Sequence, residues 1–380
     1  MVLVWRRVDN FDTLEEDIIR RHFTNNSKLK LASSIMGTGE EALSNIINSP
    51  DENGVIVGNW SGDYWGGVPP TEWTGSIDIL RRYIGSRFGR AQFRPVKFGQ
   101  CWVFAGVVTT VCRCIGIPCR PVTNYSSAHD TNTSVTIDYH IDEKGDPIKF
   151  MNVDSVWNFH VWNDVWMSRP DLPSGYDGWQ IIDATPQEKS DGVFRCGPAP
   201  IAAVRSGQIG LGFDTPFVFS EVNADKCYWM HRKGSVRYVD KEIDSIGRMI
   251  STKRPGIVLG DFNRDRMDIT SDYKYYEGSK AERLAVMTAL FTGGSHAIMA
   301  YREQIPKIDD ILCSLETSGA TVIGNDFKAS LRLINTSDAV KQIQISIRID
   351  TVMYIGTNPR RVKAEQMAID IKPKEGKRAE

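Results

Sequence analysis

Cys101 lies in the stretch FGQCWVFAGVV, residues 98–108, where it could act as a nucleophile. The residues after it are apolar nearly all round and predict a buried helix from Cys101 to Ile115. A catalytic cysteine reacts as a thiolate, which the N-terminus of a helix and a nearby histidine both favour. The stretch by itself leaves a second interpretation open, because a single cysteine before a buried helix is usually a packed thiol.

The base for such a thiol has to come from one of six histidines. Only His160 lies within a clearly buried, aromatic strand, WNFHVW, and Asp183 ends the next strand, in WQIIDATPQE. A carboxylate in that position would orient the imidazole, as the third member of a catalytic triad does. Taken singly, each residue is better interpreted as structural. Taken together, at matching ends of their elements, the three favour a Cys-His-Asp triad.

The composition is that of an ordinary globular protein of 380 residues, with 41% hydrophobic residues, 24% charged residues and a net charge of −1. This balance argues against nucleic acid or an anionic membrane surface as the main partner. No stretch approaches the roughly 20 apolar residues that span a bilayer, and the N-terminal apolar run is too short to predict a signal peptide. Seven irregularly spaced cysteines predict free thiols rather than a disulfide framework or a zinc site.

Two kinds of pattern surround the predicted triad. Apolar residues at helical spacing predict further helices at 71–84 and 278–291. Alternation and enrichment in valine and aromatic residues predict strands at 54–60, 116–125, 134–141, 155–167, 178–188, 217–230 and 235–243. From about residue 308, alternating strands continue without helices, which is typical of a β-sandwich. The sequence therefore predicts an α+β protein whose last part is all-β.

Long contiguous motifs in the chain resemble the animal transglutaminase family, closest to its coagulation factor thirteen A-type and invertebrate members. They are GQCWVFAGV, GIPCRPVTNYSSAHD, SVWNFHVWNDVWMSRPDLPSGYDGWQIIDATPQE and PFVFSEVNAD. The resemblance implies an α+β fold, a papain-like cysteine-enzyme core followed by an incomplete, immunoglobulin-like β-barrel. The implied segments are an N-terminal remnant (1–44), the catalytic core (45–292), a linker (293–307) and a partial first C-terminal barrel (308–380).

The resemblance implies that Cys101 is the nucleophile, His160 the base and Asp183 its orienting carboxylate. The thiol would attack the carboxamide of a protein-bound glutamine, release ammonia and form a thioester. A lysine or another primary amine would then take the acyl group as an isopeptide bond, with deamidation by water as a side reaction. The implied partners are Gln-donor and Lys-donor proteins and primary amines. Family members without a signal peptide are cytoplasmic or secreted unconventionally, so the resemblance implies one of these locations for this chain.

The resemblance also gives roles to tryptophans. Trp60, in GNW, would donate its indole N–H to the oxyanion, beside the backbone N–H of Cys101. Trp60 and Trp157 would wall a tunnel that keeps water from the thioester. Strand alternation instead favours Trp162, which would share a face with His160.

Calcium is the cofactor that the resemblance implies, held by oxygen ligands. The main site would use Asn223, Asp225, Glu277 and Glu282. A second site, matched less fully, would use Asp130, Asn132, Ser134, Thr136 and Asp154. A third and least matched site would use Asn48, Asp51 and Glu52.

Tyr354, in VMYIGTNP, matches the tyrosine that hydrogen-bonds the catalytic thiol in the resting state of family members. A strand tyrosine with an exposed hydroxyl is the alternative interpretation. Most of the N-terminal sandwich and the second barrel have no counterpart here, and guanine-nucleotide control is not expected. Two other functions stay open. A cysteine peptidase would share the GQCW order, but papain-like enzymes separate Cys and His by roughly 130 residues. A non-enzymatic scaffold would not need Cys101, His160, Asp183 and Trp60 together.

Overall fold

The computed structural model of the chain describes residues 54–87, 90–91, 94–190, 193–256, 265–293, 311–318, 328–351 and 360–379. The chain divides into two compact units, Met1–Tyr301 and Arg302–Glu380. Several predicted features lie outside the described residues, namely the N-terminal remnant 1–44, the linker from residue 294, the third calcium site (Asn48, Asp51, Glu52) and Tyr354.

The described elements are numbered in chain order. The helices α1 to α6 are Ser76–Ile84, Cys101–Cys114, Ile201–Ser206, Thr215–Asn223, Thr270–Tyr273 and Lys280–Gly293. The strands β1 to β15 of the first unit are Ile56–Gly58, Ser86–Arg87, Arg90–Ala91, Val96–Gly99, Cys119–His129, Thr136–Ile141, Ser155–Met167, Gly178–Asp183, Lys189–Ser190, Val193–Phe194, Cys196–Pro200, Asp225–Arg232, Ser235–Glu242, Met249–Lys253 and Arg266–Asp268. The strands β16 to β20 of the second unit are Ile311–Ser318, Lys328–Asn335, Lys341–Thr351, Arg360–Ile371 and Gly376–Ala379.

A six-stranded antiparallel sheet, in the order β11-β8-β7-β5-β14-β15, forms the centre of the first unit. Its longest strand, β7, has 13 residues and is rich in valine and aromatic residues, which favour a pleated backbone. In its register, His160 of β7 lies opposite Asn124 of β5, and Asn163 lies opposite Ile182 of β8. Because β8 ends one residue later, Asp183 is a diagonal neighbour of His160 on the adjacent strand.

Helix α2 packs against β7 and extends over Cys101–Cys114, one residue short of the predicted end at Ile115. It is buried at 11 of its 14 positions, as its apolar sequence requires. Asn163 ties it to the sheet, since its Nδ2 donates to the carbonyl of Ala105 (3.0 Å) and to Oγ1 of Thr109 (2.8 Å). The start of α2 is therefore held at a fixed position relative to β7.

Two glycines allow the chain to approach the start of α2 closely. β1 lies parallel to β4, the strand that leads into α2. A Cβ on Gly99 would lie 2.5 Å from Cγ2 of Ile56, and a Cβ on Gly58 would lie 2.5 Å from the ring of Trp60. Larger residues at either position would push β1 and Trp60 away from the N-terminal end of α2.

The segment 217–230 corrects one prediction. It was expected to be a strand, but it covers most of α4, Thr215–Asn223, and most of β12, Asp225–Arg232. A short apolar run without clear period fits a buried helix as well as a strand, and Pro216 in the first turn favours the helix. The described strand β14, Met249–Lys253, was not predicted either. β12 joins a smaller sheet in the order β13-β12-β6, parallel to β6.

The second unit contains only strands among its described residues, as expected for an all-β barrel segment. β16, β17 and β20 form one sheet, and β18 pairs with β19 along 11 register pairs. Leu333, Ile345 and Ile371 form its small buried core. The α+β prediction is thus confirmed. None of the described helices has the length and the apolar character that crossing a bilayer requires.

Candidate active site

Cys101 is the first residue of α2, and its side chain is fully buried. The preceding residue fixes the entry of the chain: Nε2 of Gln100 donates to the carbonyl of Asn59 (2.8 Å) and to the hydroxyl of Tyr64 (3.1 Å). The first N–H groups of a helix have no partner within the helix, and they carry partial positive charge. The Cys101 side chain therefore lies at the partly positive end of α2.

His160 is fully buried and bonded to Asp183, with 2.7 Å between Nε2 and Oδ2. The other oxygen of Asp183 accepts the N–H of Thr185 at 2.8 Å. Burial alone would lower the pKa of His160, but Asp183 and the neighbouring Cys101 thiol raise it well above its usual value. Nδ1 of His160 has no hydrogen-bond partner of regular geometry in the described part of the chain. The arrangement favours an imidazolium that holds its Nε2–H toward Asp183 and leaves Nδ1 for the thiol chemistry.

Glu221 of α4 is a second carboxyl beside this imidazole, and sequence analysis missed its role. Its Oε1 lies 3.7 Å from Nε2 of His160, and its Oε2 is buried without a hydrogen-bond partner. Burial raises the pKa of Glu221 to about 8, with Asp183 adding to the shift and His160 opposing it. An acidic residue within the apolar run FVFSEV was the available signal, but the run was interpreted as a strand.

Gln187 is a second residue that the sequence did not indicate. Its amide nitrogen lies 2.6 Å from Oδ2 of Asp183, 2.7 Å from Nε2 of His160 and 3.3 Å from Oε1 of Glu221. Its amide oxygen lies 3.2 Å from Nδ1 of His129. Gln187 also lines a cavity of about 130 Å³, together with Thr185, Glu188, Asp130 and Phe217 among others.

The tryptophans near the triad differ in their surroundings. Trp60 stacks on Phe104 of α2 at 6.5 Å between ring centroids. Trp157 contacts the ring of His160 edge-on at 5.0 Å and stacks on His129 at 5.6 Å. Trp162 also lies beside His160, at 5.8 Å, but it is fully buried in the core and donates to the Tyr273 hydroxyl at 3.0 Å. Trp162 is therefore a core residue, and the two predicted tunnel residues lie nearer the surface.

The residues of the predicted main calcium site meet around cations of the chain itself. Asp225, at the start of β12, accepts two hydrogen bonds from Nη1 of Arg283, at 2.9 and 2.7 Å. The same guanidinium binds both carboxylate oxygens of Glu282, and Nζ of Lys274 binds Glu277. Asp225 and Glu282 are fully buried. Arg283 thus holds the position between the two carboxylates.

The chemistry of this cluster fits a hard cation. Calcium takes carboxylate and amide oxygens as ligands, and Asn223, Asp225, Glu277 and Glu282 supply them. Two buried polar atoms of the cluster, Nδ2 of Asn223 and Oε2 of Glu277, have no hydrogen-bond partner. Burial opposes the charge of Arg283, yet Glu282 and Asp225 raise its pKa above the usual value. A divalent ion that uses all four residues has to displace this guanidinium.

The predicted second calcium site is a compact loop that already satisfies its own carboxylates. Asp130 accepts the N–H groups of Ser134 (3.0 Å) and Val135 (2.8 Å) and the hydroxyl of Ser220 (2.8 Å). Asp154 accepts the N–H groups of Thr131 and Asp138, both at 3.0 Å. Burial raises the pKa of Asp154 to about 6 and raises that of Asp130 in the same direction.

The remaining predicted ligands join the same loop, together with a carboxylate that the sequence did not single out. Asn132 accepts the N–H of Ser134 at 3.0 Å, and the hydroxyl of Ser134 lies 3.2 Å from that of Thr136. Asp138 lies within 3.4 Å of the Ser134 hydroxyl and 3.2 Å of the Thr136 hydroxyl. No Lys or Arg side chain of the described residues pairs with Asp130, Asp138 or Asp154.

Comparison with known proteins gives consistent results. Residues 86–184 match the model of the transglutaminase-like superfamily. The chain is 44% identical over 332 residues to human protein-glutamine gamma-glutamyltransferase K, across 87% of this chain and 39% of the relative. It is 45% identical over 333 residues to annulin of Schistocerca americana, across 86% of this chain and 41% of the relative.

An arthropod relative and a solved structure extend this result. The hemocyte protein-glutamine gamma-glutamyltransferase of Tachypleus tridentatus is 43% identical over 335 residues, across 87% of this chain and 43% of the relative. The crystal structure of red sea bream transglutaminase superposes with a TM-score of 0.77 at 35% identity, across 96% of this chain and 52% of that chain. The chain spans about two fifths of the length of these curated relatives.

Proposed function

The chain belongs to the transglutaminase-like superfamily, and we propose that it is a protein-glutamine γ-glutamyltransferase that works through a thioester on Cys101. The observation that carries the proposal is the meeting of a helix-terminal cysteine with a buried His160–Asp183 pair, each from a separate element. The relatives' names state the same reaction for proteins that are more than 40% identical to this chain.

In the proposed first half-reaction, the Cys101 thiolate attacks the carboxamide carbon of a protein-bound glutamine. The indole N–H of Trp60 and the backbone N–H of Cys101 would stabilise the oxyanion. The His160 imidazolium donates a proton from Nδ1 to the leaving nitrogen, the C–N bond breaks, and ammonia departs. The acyl group is then a thioester on Cys101, and His160 is neutral.

In the second half-reaction, a lysine amine or another primary amine attacks the thioester. Neutral His160 accepts a proton from the amine at Nδ1, the C–S bond breaks, and the thiolate–imidazolium pair is restored beside an isopeptide bond. Asp183 keeps Nε2–H oriented throughout. We propose that Trp60 and Trp157 restrict water at the thioester, because attack by water would give deamidation instead.

We also propose that the activity depends on calcium, which would be held by Asn223, Asp225, Glu277 and Glu282. Bound calcium would supply positive charge to this cluster and no step of acyl transfer. The support is the set of oxygen ligands and the buried Oε2 of Glu277, which has no hydrogen-bond partner among the described residues. α4 links this cluster to the triad, since Asn223 ends the helix that carries Glu221. The loop of Asp130, Asn132, Ser134, Thr136 and Asp154 is the proposed second calcium site.

Incorporation of a biotinylated primary amine into casein, with calcium and with a chelator, tests the proposal. We expect calcium-dependent incorporation by the wild type and none by Cys101→Ala. Cys114→Ala is the matched control, because Cys114 ends the same helix and is only half-buried. Incorporation that survives Cys101→Ala would contradict the assignment of the nucleophile. Cleavage of casein without incorporation would instead indicate a peptidase, and binding without either reaction a scaffold.

A further inference from the structure

Gln187 lies in the turn after β8, where its backbone N–H donates to the carbonyl of Thr185 at 2.8 Å. Its side-chain nitrogen faces three groups, Asp183, His160 and Glu221, and its side-chain oxygen faces His129. An amide nitrogen has only two hydrogens, so it can serve two of the three groups at most.

The chemistry of the three groups decides which two of them accept the amide hydrogens of Gln187. Nε2–H of His160 donates to Asp183, so this nitrogen cannot also accept a hydrogen bond. The two amide hydrogens therefore go to Oδ2 of Asp183 and Oε1 of Glu221. The flipped amide would bring its oxygen within 2.6 Å of the Asp183 carboxylate, with no hydrogen between them. The Asp183 carboxylate thus favours the orientation with the amide nitrogen toward the two carboxyls, which leaves the amide oxygen 3.2 Å from Nδ1 of His129.

We propose that Gln187 is a positioning residue for the catalytic imidazole, an inference that rests on the proposed acyl transfer. Its amide bridges the two buried carboxyls and keeps Oδ2 of Asp183 in line with Nε2–H of His160. Asp183 then has three donors, from His160, Gln187 and the backbone of Thr185. Without the amide, Oε1 of Glu221 loses its donor, and Oε2 already has none.

The physical consequence is a less constrained Asp183. A buried carboxyl that loses a donor turns toward another one, and the nearest remaining donor is the imidazole itself. Rotation of Asp183 or His160 would move Nδ1 away from the sulfur of Cys101. Loss of the Gln187 amide should therefore slow the chemical step and leave substrate binding unchanged.

Gln187→Met is the test variant, because methionine keeps the length of the side chain and removes both amide groups. Gln208→Met is the matched control, since Gln208 is exposed and, among the described residues, its side chain accepts a hydrogen bond from the Tyr176 hydroxyl alone. Four quantities are measured: kcat and KM for ammonia release from a Gln peptide, the rate of Cys101 alkylation by iodoacetamide, and the melting temperature. Cys101→Ala gives the background alkylation.

We expect Gln187→Met to lower kcat about 10- to 100-fold, the value of a hydrogen bond to a charged group, with KM within about twofold. The alkylation rate should fall with kcat, while Gln208→Met changes neither. An unchanged kcat, or a loss of kcat that follows the melting temperature in both variants, would overturn the proposal. The alkylation comparison needs no turnover, so it still tests Gln187 if the wild type transfers no acyl group and the proposed function itself fails.

Discussion

The proposed triad and the proposed main calcium site both gather buried carboxylates from separate elements, but the carboxylates are neutralised differently. Asp183 is paired with His160, the group that the proposed reaction uses. Asp225 and Glu282 are paired with Arg283, which takes no part in that reaction. The reactive groups are therefore assembled before any ligand binds, whereas the proposed metal ligands are held by a substitute cation.

The buried carboxylates of the loop around Asp130 are stabilised in a third way. Its carboxylates accept backbone N–H groups, and burial raises the pKa of Asp154 to about 6. No described Lys or Arg has to leave before a cation binds there. Of the two described calcium candidates, only the main one thus couples metal binding to the release of a side chain.

The largest expected effect separates the triad from the metal cluster. Asp183→Asn should lower kcat by roughly 10³ to 10⁴ at saturating calcium, because the imidazole loses its orienting charge. Glu282→Gln should instead raise the calcium concentration needed for half-maximal activity and leave the saturated kcat near wild type. Amine incorporation across a calcium titration measures both. A fall in saturated kcat of equal size in the two variants would remove the distinction.

Arg283→Met tests whether the Arg283 guanidinium occupies the position that calcium would take. Without calcium, the variant removes the guanidinium that pairs with the buried carboxylates of Glu282 and Asp225 and leaves Lys241, 3.6 Å from Asp225, in place, which should destabilise the fold by about 3 kcal/mol. Calcium should then bind about tenfold more tightly than to the wild type, since no guanidinium has to leave. Calorimetric titration and the calcium-induced shift in melting temperature give the two values. Weaker calcium binding would show that Arg283 supports the site; Arg82→Met, on an exposed ion pair, is the control.

A smaller expected effect concerns Asp164 of β7, in the six-stranded sheet. Burial raises the pKa of Asp164 to about 6, although Arg120 and the Tyr273 hydroxyl oppose the shift. The folded state therefore holds this proton at a pH where the unfolded chain has lost it. The stabilisation from this group is fully present below about pH 4 and is lost as pH rises through about 6.

Asp164→Asn replaces the titrating carboxyl with a neutral amide and so tests the direction of this pH dependence. The free energy of unfolding of the variant, relative to wild type, should rise by about 2–3 kcal/mol between pH 4 and pH 7.5. Urea unfolding with a chelator present, at both pH values, measures it without contribution from calcium. A relative stability that does not change with pH would mean that Asp164 is ionised in the fold throughout this range.

The sequence predicted the elements that depend on local patterns better than the contacts between residues far apart in the chain. Helix α2 and strand β7 follow from long, strongly biased runs, and both occur where expected. The run before Asn223 was short and apolar, so its helical form could not be told from a strand. The approach of Glu221 and Gln187 to His160, and of Arg283 to Asp225, joins residues 27 to 61 positions apart. Such contacts depend on how sheets and helices pack, which periodicity does not encode.

The most direct test of the account is to trap the acyl group on the enzyme. The protein is incubated with calcium and a Gln peptide, without amine, quenched in acid and mapped by mass spectrometry. The account predicts an adduct on the peptide that contains Cys101, with the mass of the Gln peptide less one ammonia, and no adduct in Cys101→Ala. An adduct on another residue, or ammonia release by Cys101→Ala, would contradict it.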